Sequence, residues 1–358
     1  MKGLLLILTS IVMQPTMAAP DFLPAVPVFK GKYELHSQAL CATAKQTLAY
    51  LNKGSAYDPQ MIHEGKVFKI PLARVKETLI FICKNQHHLN DPDFIKMHFD
   101  FIRWYPDRIR AKQLAHNKPL LNHLPSDRLL MTKYFVHLAN ANTKPSAAKP
   151  YPLYGLPADE QHLTLDEANT KPDLIRFQYG KQAILKGVLN NKPVPALAYL
   201  SRDDVETALL QGTIVANFGH GQGTKIFNVH RNNNIAYDRT KPPYSQERFW
   251  YFKKVDGIKG YGKDAEHKIT VNPEVTFAAD ITQFGLGKLL MIQYLGKGGV
   301  MVTKAGIFAD TGGAFADNLY QIDYLAGSYH GQDDFYRATR NLPDYVNAYF
   351  MILKKSVR

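Results

Sequence analysis

Only two cysteines, Cys41 and Cys83, occur in 358 residues, too few for a fold built on disulfides. Beyond the N-terminus no segment reaches, without charges, the roughly 20 residues that a membrane-crossing helix takes. Disorder is also excluded: charged residues make up 21% of the chain, and it holds 19 Phe and 20 Tyr. Acidic residues are the scarcer sign. Against 44 Lys and Arg stand 31 Asp and Glu, a formal charge of +13 that favours nucleic acid, anionic lipid or an acidic polysaccharide as partner. The length suits about two domains with a substantial core.

Familiar catalytic signatures are missing as well. There is no G-x-S-x-G elbow, H-E-x-x-H helix or G-x-x-x-x-G-K-[ST] loop. The run Gly219-His220-Gly221-Gln222-Gly223-Thr224-Lys225 has the wrong spacing for phosphate and reads as a tight turn. The adjacent His87 and His88 point to different faces and no Cys or carboxylate cluster joins them, so no metal site is expected.

The N-terminus narrows the partners. Met1-Lys2, an apolar run over 4–13 and the small residues before Ala18 form a secretory leader, cut after Ala18 to leave 340 residues (358 − 18). No cysteine lies near the cut, so a soluble periplasmic or secreted protein without a lipid anchor is expected, and nucleic acid is not the partner. In an oxidising compartment Cys41 and Cys83 are either a disulfide bracing the N-terminal region or two reduced core thiols.

Apolar spacing predicts helices over 33–51, 74–84 and 92–101, with Asp91 as cap and Pro92 in the first turn. Residues 118–127 read as a loop, 129–138 as a strand and the Pro- and Gly-rich 144–156 as irregular. Ser201-Arg202-Asp203-Asp204 is an S-x-x-D cap opening a short helix. Beyond Thr213 short apolar runs at 226–229, 249–252, 275–278, 289–294 and 300–303 alternate with Gly, Pro and Asn, which suggests small barrels or sandwiches rather than a parallel α/β sheet.

Two carboxylates near the C-terminus stand out. Asp310 ends the apolar run Ile307-Phe308-Ala309 before Gly312-Gly313, and Asp323 sits between Ile322 and Tyr324. A carboxyl among apolar neighbours resists ionisation and suits a general acid. The plainer alternative makes Asp310 a turn cap and places Asp323 on a solvated strand face. Asp317, Asp333, Asp334 and Asp344 lie in polar loop context.

From these residues the chain resembles the membrane-bound lytic murein transglycosylase A (MltA) family. Asp310-Thr311-Gly312-Gly313-Ala314 with Ile322-Asp323-Tyr324 and Gly327 is similar to its three-aspartate module, half of a double-psi β-barrel. Upstream, in the same order, Met131-Thr132-Lys133-Tyr134-Phe135 resembles F-T-G-Y-Y, and Tyr151 to Pro157 resembles Y-P-[LI]-Y-x-x-P. Leu200 to Val205 resembles L-[ST]-R-x-x-[IV], Gly221-Gln222-Gly223 a Q-G-S-G turn, Asn233 with Tyr237 the N-G-x-x-Y segment, and 249–252 a Y-V-F-F strand. The likeness extends over about residues 36–355.

The resemblance implies a mainly β fold with N-terminal helices. Residues 19–137 and 249–358 would form a double-psi barrel domain, with a smaller β-rich domain inserted at 138–248 and a groove between the two. It implies cleavage of the MurNAc–GlcNAc β-1,4 bond of peptidoglycan with formation of 1,6-anhydro-MurNAc, by a monomer without a cofactor. Asp323 falls on the catalytic aspartate and Asp310 on its supporting partner. Thr132, Lys133, Tyr134, Gly221, Gly223, Asn233, Tyr237, Gly312 and Gly313 fall on substrate-contacting segments. Two departures matter. Lys133 stands where the family has Gly, and 238–248 is shorter than the family's helical insert. Both point to the alternative, a peptidoglycan-binding or wall-remodelling protein that has lost turnover.

Overall fold

The computed structural model describes residues 20–355 apart from Asn117, His220, Arg239, Gly313 and Ala314. The leader expected at 1–18 and the candidate Gly313 lie outside the described residues.

Helices Ser37–Leu51 and Leu72–Lys84 cover two of the expected segments and bury Leu40, Ala44, Leu51, Val75, Leu79 and Ile82 on their inner faces. A disulfide between Cys41 and Cys83 joins them across 42 residues, which decides the open choice about the two thiols. Helix Pro92–His98 starts as its sequence dictates, with the Asp91 carboxylate accepting the Asp93 N–H at 2.9 Å. It stops short of the expected 101. From Phe99 the chain alternates inward Phe99 and Phe101 with outward Asp100, a strand period that overrides the helical start.

Strands β1 (Asp21–Pro24), β2 (Lys32–Tyr33), β3 (Phe99–Tyr105) and β4 (Leu129–Asn140) come first. Next are β5 (Tyr151–Tyr154), β6 (Ala196–Leu200), β7 (Thr213–Asn217), β8 (Thr224–Asn232) and β9 (Trp250–Val255). The C-terminal third supplies β10 (Thr276–Ala278), β11 (Leu289–Leu295), β12 (Met301–Asp310), β13 (Gln321–Tyr329) and β14 (Tyr345–Leu353). Twelve of them form one mixed sheet, and β5 and β6 pair separately. The expectation of an irregular 144–156 is therefore corrected at β5. Tyr151 pairs with Leu200 in a two-stranded ribbon, where Pro152 can lack its N–H at an edge.

Within the sheet β14, β11, β12, β10, β13 and β4 pair in turn, and β4 pairs back to β14, closing a barrel. Two of its pairings, β10 with β12 and β13 with β4, are parallel. The core beneath is aromatic and aliphatic, with Trp104, Phe277, Phe284, Ile307, Phe308 and Phe350 all under 1% exposed.

Strand β4 is longer than the barrel needs. Its last residues, His137 to Asn140, pair with β7, and β8 and β9 follow on that edge. Met131 and Phe135 enter the barrel core, whereas Ala139 joins a second core with Leu153, Leu200, Val205, Ile214, Phe227 and Phe252. Strand β9, which opens at Trp250, belongs with β8 on this side.

Candidate active site

Register brings the two aspartates together. Ala278 of β10 is level with Asp323 of β13 on one side and with Asp310 of β12 on the other, and Asp323 is level with Thr132 of β4. Partners at one level point to the same face, so Asp310, Ala278, Asp323 and Thr132 form a row across four strands. At strand spacings of about 4.8 Å the two aspartate Cα atoms lie roughly 10 Å apart. Ala278, with only a methyl side chain, stands between them in the row. A bulge sets this alignment: Phe277 pairs with Phe308 but Ala278 with Asp310, and the skipped Ala309 turns Asp310 onto the face of Asp323.

Tyr134, two residues beyond Thr132, shares that face, and its hydroxyl donates to Asp310 Oδ2 at 2.7 Å. Asp310 Oδ1 accepts the Thr311 N–H at 2.8 Å. Asp323 Oδ1, in contrast, is buried without a hydrogen-bond partner. Beside it Gln321 donates to Thr132 Oγ1 at 2.7 Å, and the Thr132 hydroxyl lies 3.3 Å from the Ile322 carbonyl.

As whole residues Asp310 and Asp323 are half-buried, and protein surrounds both closely. Burial pushes Asp323 up to about 7. The charge of Asp310 adds to the rise, and hydrogen bonding from Thr132 and the charge of Lys133 oppose it. Burial likewise pushes Asp310 up to about 6, against the Tyr134 and Thr311 hydrogen bonds and the charge of Lys268. The Tyr134 phenol, buried beside these acids, is raised well above its ordinary value and keeps its proton. Near neutral pH the pair thus offers an acid poised to give a proton beside a second group ionised through a tyrosine hydrogen bond.

The remaining candidates divide. Gly312 follows directly on Asp310 and Thr311, whose hydroxyl donates to the Ala279 carbonyl at 2.8 Å. Lys133 points off the shared face and donates to Asp344 Oδ1 at 2.7 Å. Gly221 and Gly223, with φ of 80° and 68°, form the tip of the β7–β8 hairpin beyond Asn140, about 26 Å from Thr132 along β4. Asn233 is 2% exposed, and its amide donates to the Tyr179 and Glu247 carbonyls and accepts the Phe249 N–H at 2.9 Å, so it braces a loop. Tyr237 lines a separate cavity. These four are not brought to the aspartates.

Two residues at the site had no reading of their own in the sequence. Gln321 lies two before Asp323 on one strand, a spacing that puts both on one face and was the available signal. Lys268 sits in a loop that no strand or helix period covers. Its ammonium is held by Asn228 Oδ1 at 2.6 Å, and burial lowers it to about 8 against the charge of Asp310.

No protein-family model matches the sequence, and no curated protein matches it. Solved structures do. The membrane-bound lytic murein transglycosylase from Agrobacterium tumefaciens matches 89% of this chain and 93% of its own at 14% identity, TM-score 0.59. Escherichia coli MltA with bound chitohexaose matches 96% and 98% at 15% identity, TM-score 0.60. MltA from Neisseria gonorrhoeae matches 90% and 91% at 14% identity, TM-score 0.54. The chain has the fold of the MltA lytic murein transglycosylases.

Proposed function

We propose that the protein is a lytic transglycosylase of peptidoglycan, cleaving the β-1,4 bond between MurNAc and GlcNAc and leaving a 1,6-anhydro-MurNAc end. The observation that carries this reading is the placement of Asp323 two strands from Asp310, its Oδ1 buried without a hydrogen-bond partner, where burial pushes the carboxyl up to about 7. It is supported by a fold shared with lytic transglycosylases, one of which holds chitohexaose.

Hydrolysis of a glycoside ordinarily uses two carboxyl groups and a water. Here Asp323 gives its proton to the departing glycosidic oxygen as the C1–O bond breaks. The C6 hydroxyl of the same sugar, tethered near C1, closes the C1–O6 bond, an intramolecular attack of high effective molarity. The Asp323 carboxylate takes the C6 hydroxyl proton and returns to its starting form. Asp310, ionised and held by Tyr134, favours the protonated state of Asp323 and stabilises the oxocarbenium-like centre. Thr132, held by Gln321 and level with Asp323 on the neighbouring strand, stands beside the acid and steadies its ionised form.

The barrel with its helical cover and the second core served by β7, β8 and β9 are read as two lobes around a glycan groove. Pairing of Lys133 with Asp344 keeps that side chain from lying across the groove, which supports turnover over a binding-only role. The Cys41–Cys83 disulfide accords with an exported, periplasmic or secreted protein. Among the described residues no helix is long and apolar enough to cross a membrane.

The test is digestion of murein sacculi with purified protein and mass spectrometry of the soluble fragments. Anhydro-muropeptides are expected, and Asp323→Asn should slow their release by about 10²–10⁴-fold. Reducing ends in place of anhydro ends, or turnover undiminished in the variant, would contradict the reading.

A further inference from the structure

Away from the aspartates, a cavity of about 270 Å³ opens between helix Arg202–Gln211 and the segment leading into β9. Leu209, Leu210 and Trp250 make its apolar wall, Tyr237 flanks it, and Lys181 and Arg248 bring charge to it. None of Thr132, Tyr134, Asp310 or Asp323 lines it.

Arg248 is the unusual member. Its guanidinium lies over the Trp250 ring at 4.9 Å. Its Nε is buried with no hydrogen-bond partner, and among the described residues no acid pairs with it. The one acid of the lining, Glu206, is already matched: Oε2 accepts from Lys181 at 2.6 Å and Oε1 from Arg202 at 2.6 Å. Lys181 is further held by the Pro243 carbonyl at 2.7 Å. Burial pushes the Arg248 guanidinium below its ordinary value, the sign of a cation lacking a counter-charge.

The cavity is built before any ligand arrives. Gln246, 3% exposed, donates to the Asp238 and Lys241 carbonyls and accepts the Asp238 N–H at 2.9 Å, closing the loop beside Tyr237. Asn233 fastens the strand that follows through Glu247 and Phe249. A flat guanidinium fork with free donors matches a carboxylate, and the leucine and tryptophan walls match a compact apolar body attached to it. The volume admits about two small residues.

We propose that this cavity binds the C-terminal carboxylate of a short peptide of small apolar residues. Naming that peptide as a murein stem rests on the function proposed above, and it would be held here apart from the cleavage centre. The carboxylate pairs with Arg248 and the methyl groups pack on Leu209 and Trp250.

The chain has two tryptophans, and Trp104 is fully buried in the barrel core, so Trp250 is the one placed to report on the cavity by fluorescence. N-acetyl-D-alanyl-D-alanine titrated into the purified protein should give a saturable change. Its C-terminal amide should bind at least about tenfold more weakly, as should the free acid to Arg248→Met, which keeps the apolar stem. Circular dichroism, with unchanged release of anhydro ends from peptide-free glycan strands, checks that this variant is folded. No saturation at millimolar peptide, equal binding of the amide, or acetate competing as well as the dipeptide would overturn the proposal. Measuring sacculus digestion alongside separates the two readings. Anhydro ends without peptide binding sink this inference alone. Peptide binding without anhydro ends leaves the carboxylate site standing and sinks the transglycosylase.

Discussion

At the scale of single residues, Asp323 and Asp310 hold their protons far above the ordinary carboxyl value of 3.8, at about 7 and about 6. A folded state that binds a proton more tightly than the unfolded chain gains stability from it. That gain is complete below about pH 4 and is lost as pH rises through 7. For Asp323 the difference amounts to at most about 4 kcal/mol. Asp323→Asn is therefore expected to be more stable than the parent by about 2–4 kcal/mol at pH 8 and about equal to it at pH 4, read from urea unfolding at both values. Equal stability at both pH values would place the carboxyl in an ordinary solvated environment. Asp310 and Asp323 stood out in the sequence as acids among apolar neighbours, whereas Thr132 and Tyr134 entered only through the family resemblance; the register sets all four on one face. Lys268 was not, because its approach to Asp310 depends on how a loop folds back onto β8.

Elements follow local chemistry closely where one signal acts alone. The S-x-x-D cap is an example: Ser201 Oγ accepts the Asp204 N–H at 3.1 Å and donates to Asp204 Oδ2 at 2.6 Å. Asp204 Oδ1 in turn meets Nε2 of His137, which is 3% exposed on β4, at 2.8 Å. One cap thus ties helix Arg202–Gln211 to the shared strand. Ser201→Ala should cost about 1–2 kcal/mol in chemical unfolding, whereas a loss below about 0.3 kcal/mol would show that the cap bears no weight. Signals in competition were harder to read. Pro92 and Asp91 start a helix that the alternation of Phe99 and Phe101 then ends, and Pro152 hides a strand whose partner lies in β6. The bulge at Ala309 left no mark in the sequence, since it arises from pairing with a strand 30 residues earlier.

For the whole molecule, closure is the decisive event. The barrel is completed only when β14 at the C-terminus pairs with β4, and β4 then carries the sheet on to β7 and the second core. Composition and spacing were enough for a mainly β chain with helices at its start. Strand order and the parallel pairings of β10 with β12 and β13 with β4 are non-local and left no signal in composition or spacing. The surplus of 13 positive charges suits the polyanionic wall polymer proposed as substrate, and two cations near the aspartates, Lys133 and Lys268, are already held by Asp344 and Asn228. What remains central is one acid that is still protonated near neutrality. Carboxyl carbon-13 NMR of aspartate-labelled protein, assigned by comparison with Asp323→Asn, measures it directly. The account predicts a resonance that titrates near pH 7 and vanishes in the variant; an Asp323 carboxyl already ionised by pH 5 would contradict it.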